Sequence, residues 1–150
     1  MEFKNGPELR KYLQERFELS LPKDVQLSKT KKHGIRVSLK SLKTDRVFGL
    51  PGFMVYSKKT GLNFYFFQLF GSLAKKNVIA LDEKDAKLYA SGLHVKKKLS
   101  IDKGLVILAH KGHILGHGIY DGKGSISCPL RQKRRREITN SILPWPGRNI

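Results

Sequence analysis

The chain reads as an α+β protein made of two small modules and a basic tail, and three observations predict this. Helical spacing appears twice, near the N-terminus and again after residue 82, between segments that alternate apolar and polar residues. From residue 77 the order is strand, helix, short strand and then a meander of strands. The glycines fall mainly at the expected turns and at a helix end. A length of 150 residues allows one ordinary domain or two small ones. The stretch Gly71-Ser72-Leu73-Ala74-Lys75-Lys76 marks the boundary, dividing residues 1–72 from 73–130, with 131–150 as the tail.

Pro7 followed by ELRKYLQERF predicts a short helix, because Pro suits a first turn and Leu9, Tyr12, Leu13 and Phe17 recur at helical spacing. Pro22 closes it. In GIRVSLK, residues 34–40, Ile35, Val37 and Leu39 alternate with Arg36, Ser38 and Lys40, which predicts a strand with a wet basic face. Val47–Tyr56 and Leu62–Phe70 are aromatic and β-branched, and Ser57–Gly61 between them is a turn signal, so a β-hairpin is expected. Asn77–Leu81 reads as a short buried strand. Asp82 then caps a helix over Glu83–Ser91, with Asp85 three residues on and Gly92 in the left-handed C-terminal position. A short strand around His94-Val95 follows. Leu105–Ala109 and Ile114–Tyr120 are paired strands across the turn His110–His113, and Ser125–Cys128 is a last short strand after the turn Asp121–Gly124.

Thirty Lys and Arg against 12 Asp and Glu give a net charge of +18, which points to an anionic partner, nucleic acid before membrane. The excess is distributed: +8 over residues 1–72, +5 over 73–130 and +5 over 131–150. One cysteine, Cys128, excludes an internal disulfide and a cysteine-rich zinc finger and fits a reducing compartment. The longest apolar run, Leu62–Phe70, has about half the length of a membrane span. With no signal-peptide core at the N-terminus, a soluble cytoplasmic protein (nucleolar in a eukaryote) is expected, with no membrane partner.

The strand Val78–Leu81, Asp82, the small-residue helix, Ser91-Gly92-Leu93-His94-Val95, the strand Gly104–Ala109 and the Gly112…Leu115-Gly116…Gly118 hairpin resemble a PUA-type RNA-binding domain. The preceding GLPGFMVYSKKTGLNFYFFQLFG resembles what precedes that domain in the Sun family of RNA cytosine methyltransferases, and small pre-PUA plus PUA factors of ribosome biogenesis have a similar layout. The resemblance covers about residues 46–130. It implies an N-terminal small α/β pre-PUA module followed by a PUA-like mixed β pseudo-barrel with short helices. The catalytic part of those enzymes is absent. They use a cysteine next to a proline, but Cys128-Pro129 lies at the end of an expected strand with no Rossmann-type sheet around it, and no Gly-rich loop is present for a methyl donor. No cofactor and no enzyme activity are expected.

The resemblance assigns RNA contact to Gly92, Leu93 and His94, where a glycine lets backbone donors approach a phosphate or ribose. Lys96, Lys97 and Lys98 follow directly. Lys75 and Lys76 and the tail residues Arg131, Lys133, Arg134, Arg135 and Arg136 are the other candidate phosphate contacts. A nuclear address and a solvated charge run are the alternatives for the tail. His110, His113 and His117 do not read as a zinc site; they are expected at a turn and on a strand surface, with His113 and His117 on one face and RNA contact open to both. Gly116-His117-Gly118…Gly122 and Gly122-Lys123-Gly124-Ser125 fail the dinucleotide and P-loop spacings. Half or more of Phe64, Tyr65, Phe66, Phe67 and Phe70 are expected in the core, base stacking being the alternative. Trp145, between two prolines, is expected to pack the tail onto the body, an exposed stacking role being the alternative.

The expected function is non-catalytic binding of structured ribosomal or transfer RNA in RNA modification or ribosome biogenesis. The rivals are an RNA-docking subunit acting in trans with a separate RNA-modification enzyme, and a ribosome assembly factor working mainly through protein contacts.

Overall fold

The computed structural model describes residues 2–31, 34–39 and 53–141. The fold is α+β, and the chain divides into two compact units, Met1–Lys76 and Asn77–Ile150. The expected strand residues Val47–Gly52, together with Trp145, lie outside the described residues.

The first unit opens with α1 (Gly6–Phe17). Asn5 caps it by accepting the Glu8 N–H at 2.9 Å, and the Glu8 carboxylate reaches back to the Lys4 N–H at 2.7 Å. The cap satisfies one orphan backbone donor of the helix, and the Glu8 carboxylate ties the residue before the cap to the first turn. Leu9, Leu13 and Phe17 bury one face. That face packs with an antiparallel meander of β1 (Val25–Lys29), β2 (Ile35–Leu39), β3 (Phe53–Ser57) and β4 (Gly61–Leu62), in that spatial order. Gly6 lies on β1 so closely that a Cβ there would stand 3.0 Å from the Cβ and carbonyl oxygen of Leu27. Arg10 ties α1 to the same strand by donating to Val25 O at 2.6 Å.

The hairpin expected over Leu62–Phe70 needs correction. Its turn and two residues of the returning strand are present, but Phe64–Phe70 is a helix, α2. Asn63 is the cause. Its side-chain oxygen accepts the Phe66 N–H at 3.1 Å, and its amide donates to Met54 O at 2.6 Å. One residue both caps the helix and fastens it to β3. Phe64, Phe66 and Phe67 face the core, whereas Tyr65 and Leu69 are exposed. A 3-10 turn over Gly71–Leu73 follows, and the N–H groups of Lys75 and Lys76 both donate to Phe17 O.

The second unit is an open mixed sheet with two helices. Its strands are β5 (Val78–Ala80), β6 (Val95–Lys96), β7 (Gly104–His110), β8 (His113–Tyr120) and β9 (Ser125–Ser127), in the spatial order β5-β7-β8-β9-β6. β5 runs parallel to β7, and every other pair is antiparallel. Between β5 and β6 lies α3 (Glu83–Ala90), capped by Asp82, which accepts the Asp85 N–H at 2.8 Å. The tail residues Gln132–Ser141 form α4, which packs against α3. The strand read as buried, β5, is an edge strand with exposed Val78 and Ala80.

The turn and strand histidines also need correction: of His110, His113 and His117, the first and last are buried and His113 is exposed. The pairing of β7 with β8 shifts, from Leu108 opposite Gly116 to Ala109 opposite Ile114, so Leu115 is an extra residue. One inserted residue reverses the side-chain alternation, which places His113 and His117 on different faces. His117 pairs with the buried Ile107. His110 reaches inward and donates from Nδ1 to Leu81 O at 2.8 Å.

Candidate functional site

The helix α3 ends in a Schellman motif. Gly92 adopts φ +80°, its N–H donates to Tyr89 O, and the Leu93 N–H donates to Leu88 O at 2.9 Å. This turn projects Leu93, 55% exposed, and His94 away from the unit. The His94 Nδ1 lies 3.2 Å from the Ser125 hydroxyl, which anchors the loop to β9. The chain then enters β6, where Val95 turns inward and Lys96 outward at the sheet edge.

A second turn builds the neighbouring surface. One carboxylate oxygen of Asp121 accepts the N–H groups of Lys123, Gly124 and Ser125, at 2.7, 3.0 and 3.0 Å. Those backbone bonds hold its carboxyl below the usual carboxylate range. Lys97 N–H donates to Gly124 O, a Cβ on Gly124 would lie 4.0 Å from the Lys98 Cα, and one on Gly122 would lie 3.2 Å from the Lys103 Cβ. Lys96 and Lys98 are therefore gathered with Lys103 and Lys123, all exposed, at one end of the sheet. Sequence reasoning missed Lys103 and Lys123. Their signal is the Asp121–Gly124 turn, which brings them beside the Lys96–Lys98 run.

The tail is divided in its behaviour. Ile138 is buried and holds α4 down. Arg135 lies over Gly92: a Cβ on Gly92 would stand 2.6 Å from its Nη1 and 2.8 Å from its Cζ. The guanidinium thus covers the open side of the glycine, whose own N–H is already used within the turn. Arg134 pairs with Glu137 at 2.8 Å. Lys133 and Arg136 are exposed on the same helix, and Arg131 is exposed immediately before it. Lys75 and Lys76 are exposed at the end of the first unit, whereas Gly92, Leu93, His94, the Lys96–Lys98 run and the tail arginines belong to the second.

Beneath this surface, Tyr89 is fully buried and donates to His117 O at 2.6 Å. Burial raises the Tyr89 phenol and pushes the His117 imidazole down to about 4, so it is neutral at physiological pH. Burial also raises the Cys128 thiol, although Arg135 opposes this. A raised thiol is a poor nucleophile. Among the described residues no group of three or more His, Cys, Asp or Glu is placed to hold a metal, and no helix is long and apolar enough to cross a membrane.

Fold and site together define a basic α+β protein with a cationic loop backed by an arginine-bearing helix. No protein-family model matches the chain, and no curated protein matches it.

Proposed function

We propose that the protein is a non-catalytic RNA-binding protein whose second unit is PUA-like and engages structured ribosomal or transfer RNA. The seating of Arg135 on Gly92 carries this reading. It makes the loop Leu93–Lys98 and the basic helix α4 parts of one structure, although more than 30 residues of chain separate them. An exposed Leu93 and His94 offer a stacking surface, and lysines on both sides offer phosphate contacts. The resemblance of the strand, helix and glycine pattern to PUA domains favours RNA over other polyanions.

The test is fluorescence anisotropy with a folded transfer RNA over a salt series. Engagement of Lys96, Lys98, Arg131, Lys133 and Arg136 gives a log–log salt slope of about −4. Replacing Lys96 and Lys98 by Ala reduces its magnitude by about 2. A slope near zero, or one unchanged by that substitution, overturns the proposal. One observation favours the assembly-factor reading: Phe53, Tyr65, Leu69 and Leu73 of the first unit are exposed, and the rings of Phe53 and Tyr65 touch. Co-purification with ribosomal proteins from nuclease-treated extract, abolished by Leu69→Glu, distinguishes it.

A further inference from the structure

The first unit carries a cleft of about 320 Å³ lined by Glu2, Phe3, Lys4, Lys29, Tyr56 and Lys58. The fold brings these residues together from three segments. The Phe3 N–H donates to the Tyr56 hydroxyl at 3.1 Å, and the two rings meet edge-on at 5.1 Å, which fixes the N-terminal residues against β3. Sheet register does the rest. Lys29 pairs with Ile35, and Ile35 with Tyr56, so Lys29 stands in the same cross-strand row as Tyr56. Lys58 follows the end of β3 directly.

The chemistry of the lining is one-sided. Three lysines and one glutamate are among the lining residues, an excess of two positive charges (3 − 1 = 2). None of the three lysines is in a salt bridge with a carboxylate among the described residues. Phe3 and Tyr56 are buried and form an aromatic wall. The Tyr56 oxygen already accepts a hydrogen bond, and its own proton goes to no acceptor among the described residues. The volume is at the lower end of the range for small-ligand sites.

We infer that this cleft is a phosphate site, taking either a phosphorylated small molecule or a phosphate of an RNA backbone. Lysines act on phosphate as point charges, and a dianion matches the excess charge of the lining. The inference rests on the first unit alone. Loss of RNA binding in the Lys96/Lys98 variant leaves it standing, and its own failure leaves the loop reading standing.

The experiment titrates the full chain with inorganic phosphate and with uridine 5′-monophosphate, followed by amide NMR, and measures transfer-RNA affinity in parallel. The test variant is Lys29→Glu with Lys58→Glu. The control is Lys11→Glu with Lys23→Glu, which changes net charge equally at exposed positions outside the cleft. Should the reversed pair unfold, Lys29→Gln with Lys58→Gln replaces it, with Lys11→Gln and Lys23→Gln as its control. The expected result is saturable shifts at Phe3, Lys4 and Tyr56, with affinity about tenfold weaker or more in the test variant and little changed in the control. If the small phosphates do not saturate but the test variant loses about tenfold more RNA affinity than the control, the phosphate is that of the RNA backbone. Saturation unaffected by the variant, or no saturation with equal RNA losses in both variants, overturns the inference.

Discussion

Replacing Gly92 by Ala tests whether loop and basic helix are one structure. Two terms add. Gly92 sits at φ +80°, where an L-residue is disfavoured by about 1 kcal/mol. The new methyl would also stand 2.6 Å from Arg135 Nη1, against an ordinary contact of about 3.5–4.0 Å. The guanidinium ends a flexible side chain, so it retreats by about 1 Å rather than blocking the substitution. What is lost is its contact with the turn, about 0.5–1 kcal/mol. Together the change destabilises the second unit by about 1.5–2 kcal/mol. Hydrogen exchange at the amides of β7 and β8 reads that unit by itself, and protection should fall about 10–30-fold. In an Arg135→Ala background, Gly92→Ala should lose only the backbone term. Equal losses in the two backgrounds, or unchanged protection in Gly92→Ala, would refute the argument.

Two further predictions concern stability. Asn63→Ala removes both the cap on Phe66 N–H and the donor to Met54 O, and should destabilise the first unit by about 1–2 kcal/mol in urea unfolding. Asn63→Ser keeps an acceptor for the Phe66 N–H without placing a second acceptor against Met54 O, and should lose less; equal losses would show that capping is not the controlling term. The second concerns pH. The folded-state pKa of His117 is pushed down to about 4 from an ordinary 6.5, so the unfolded chain binds the extra proton between those values. Its contribution is fully present above about pH 6.5 and is lost as pH falls toward 4, up to about 3 kcal/mol in total. His117→Gln should flatten the urea midpoint over that window. Asp121 titrates below its ordinary 3.8 and leaves the window clear. An undiminished slope in the variant would remove His117 as the source.

Much of the second unit was legible because its signals are local. Asp82, Ala86, Ala90 and Gly92 specify α3 within one stretch, and the observed helix ends one residue from its expected end. The turn glycines likewise fall where the hairpins reverse. What could not be read is where local signals compete or a partner lies far along the chain. The run Phe64–Phe70 has the β propensity of aromatic residues, yet Asn63 can cap only a helix, and a helix buries three of the phenylalanines together. The extra residue in β8 leaves no compositional trace beyond Gly116, and it alone reverses the histidine faces. The covering of Gly92 by Arg135, and the gathering of Lys103 and Lys123 beside the Lys96–Lys98 run, depend on tertiary contacts.

These contacts change what the charge of +18 means. A charge count treats every cation as available to a polyanion. In the second unit the arginines divide by what they already touch. Arg134 is paired with Glu137, and Arg135 is seated on the Gly92 turn beside Cys128. Drawing either onto a phosphate would forfeit an existing contact: the Arg134 pair lies within α4, and the Arg135 contact joins α4 to the loop. Lys96, Lys98, Arg131, Lys133 and Arg136 are exposed and carry no salt bridge among the described residues. They reach a phosphate without breaking one. On the proposed RNA-binding reading, the number of counterions released is set by that smaller group rather than by the net charge. The densest part of the sequence, Arg134–Arg136, contributes through the geometry it imposes as much as through its charge.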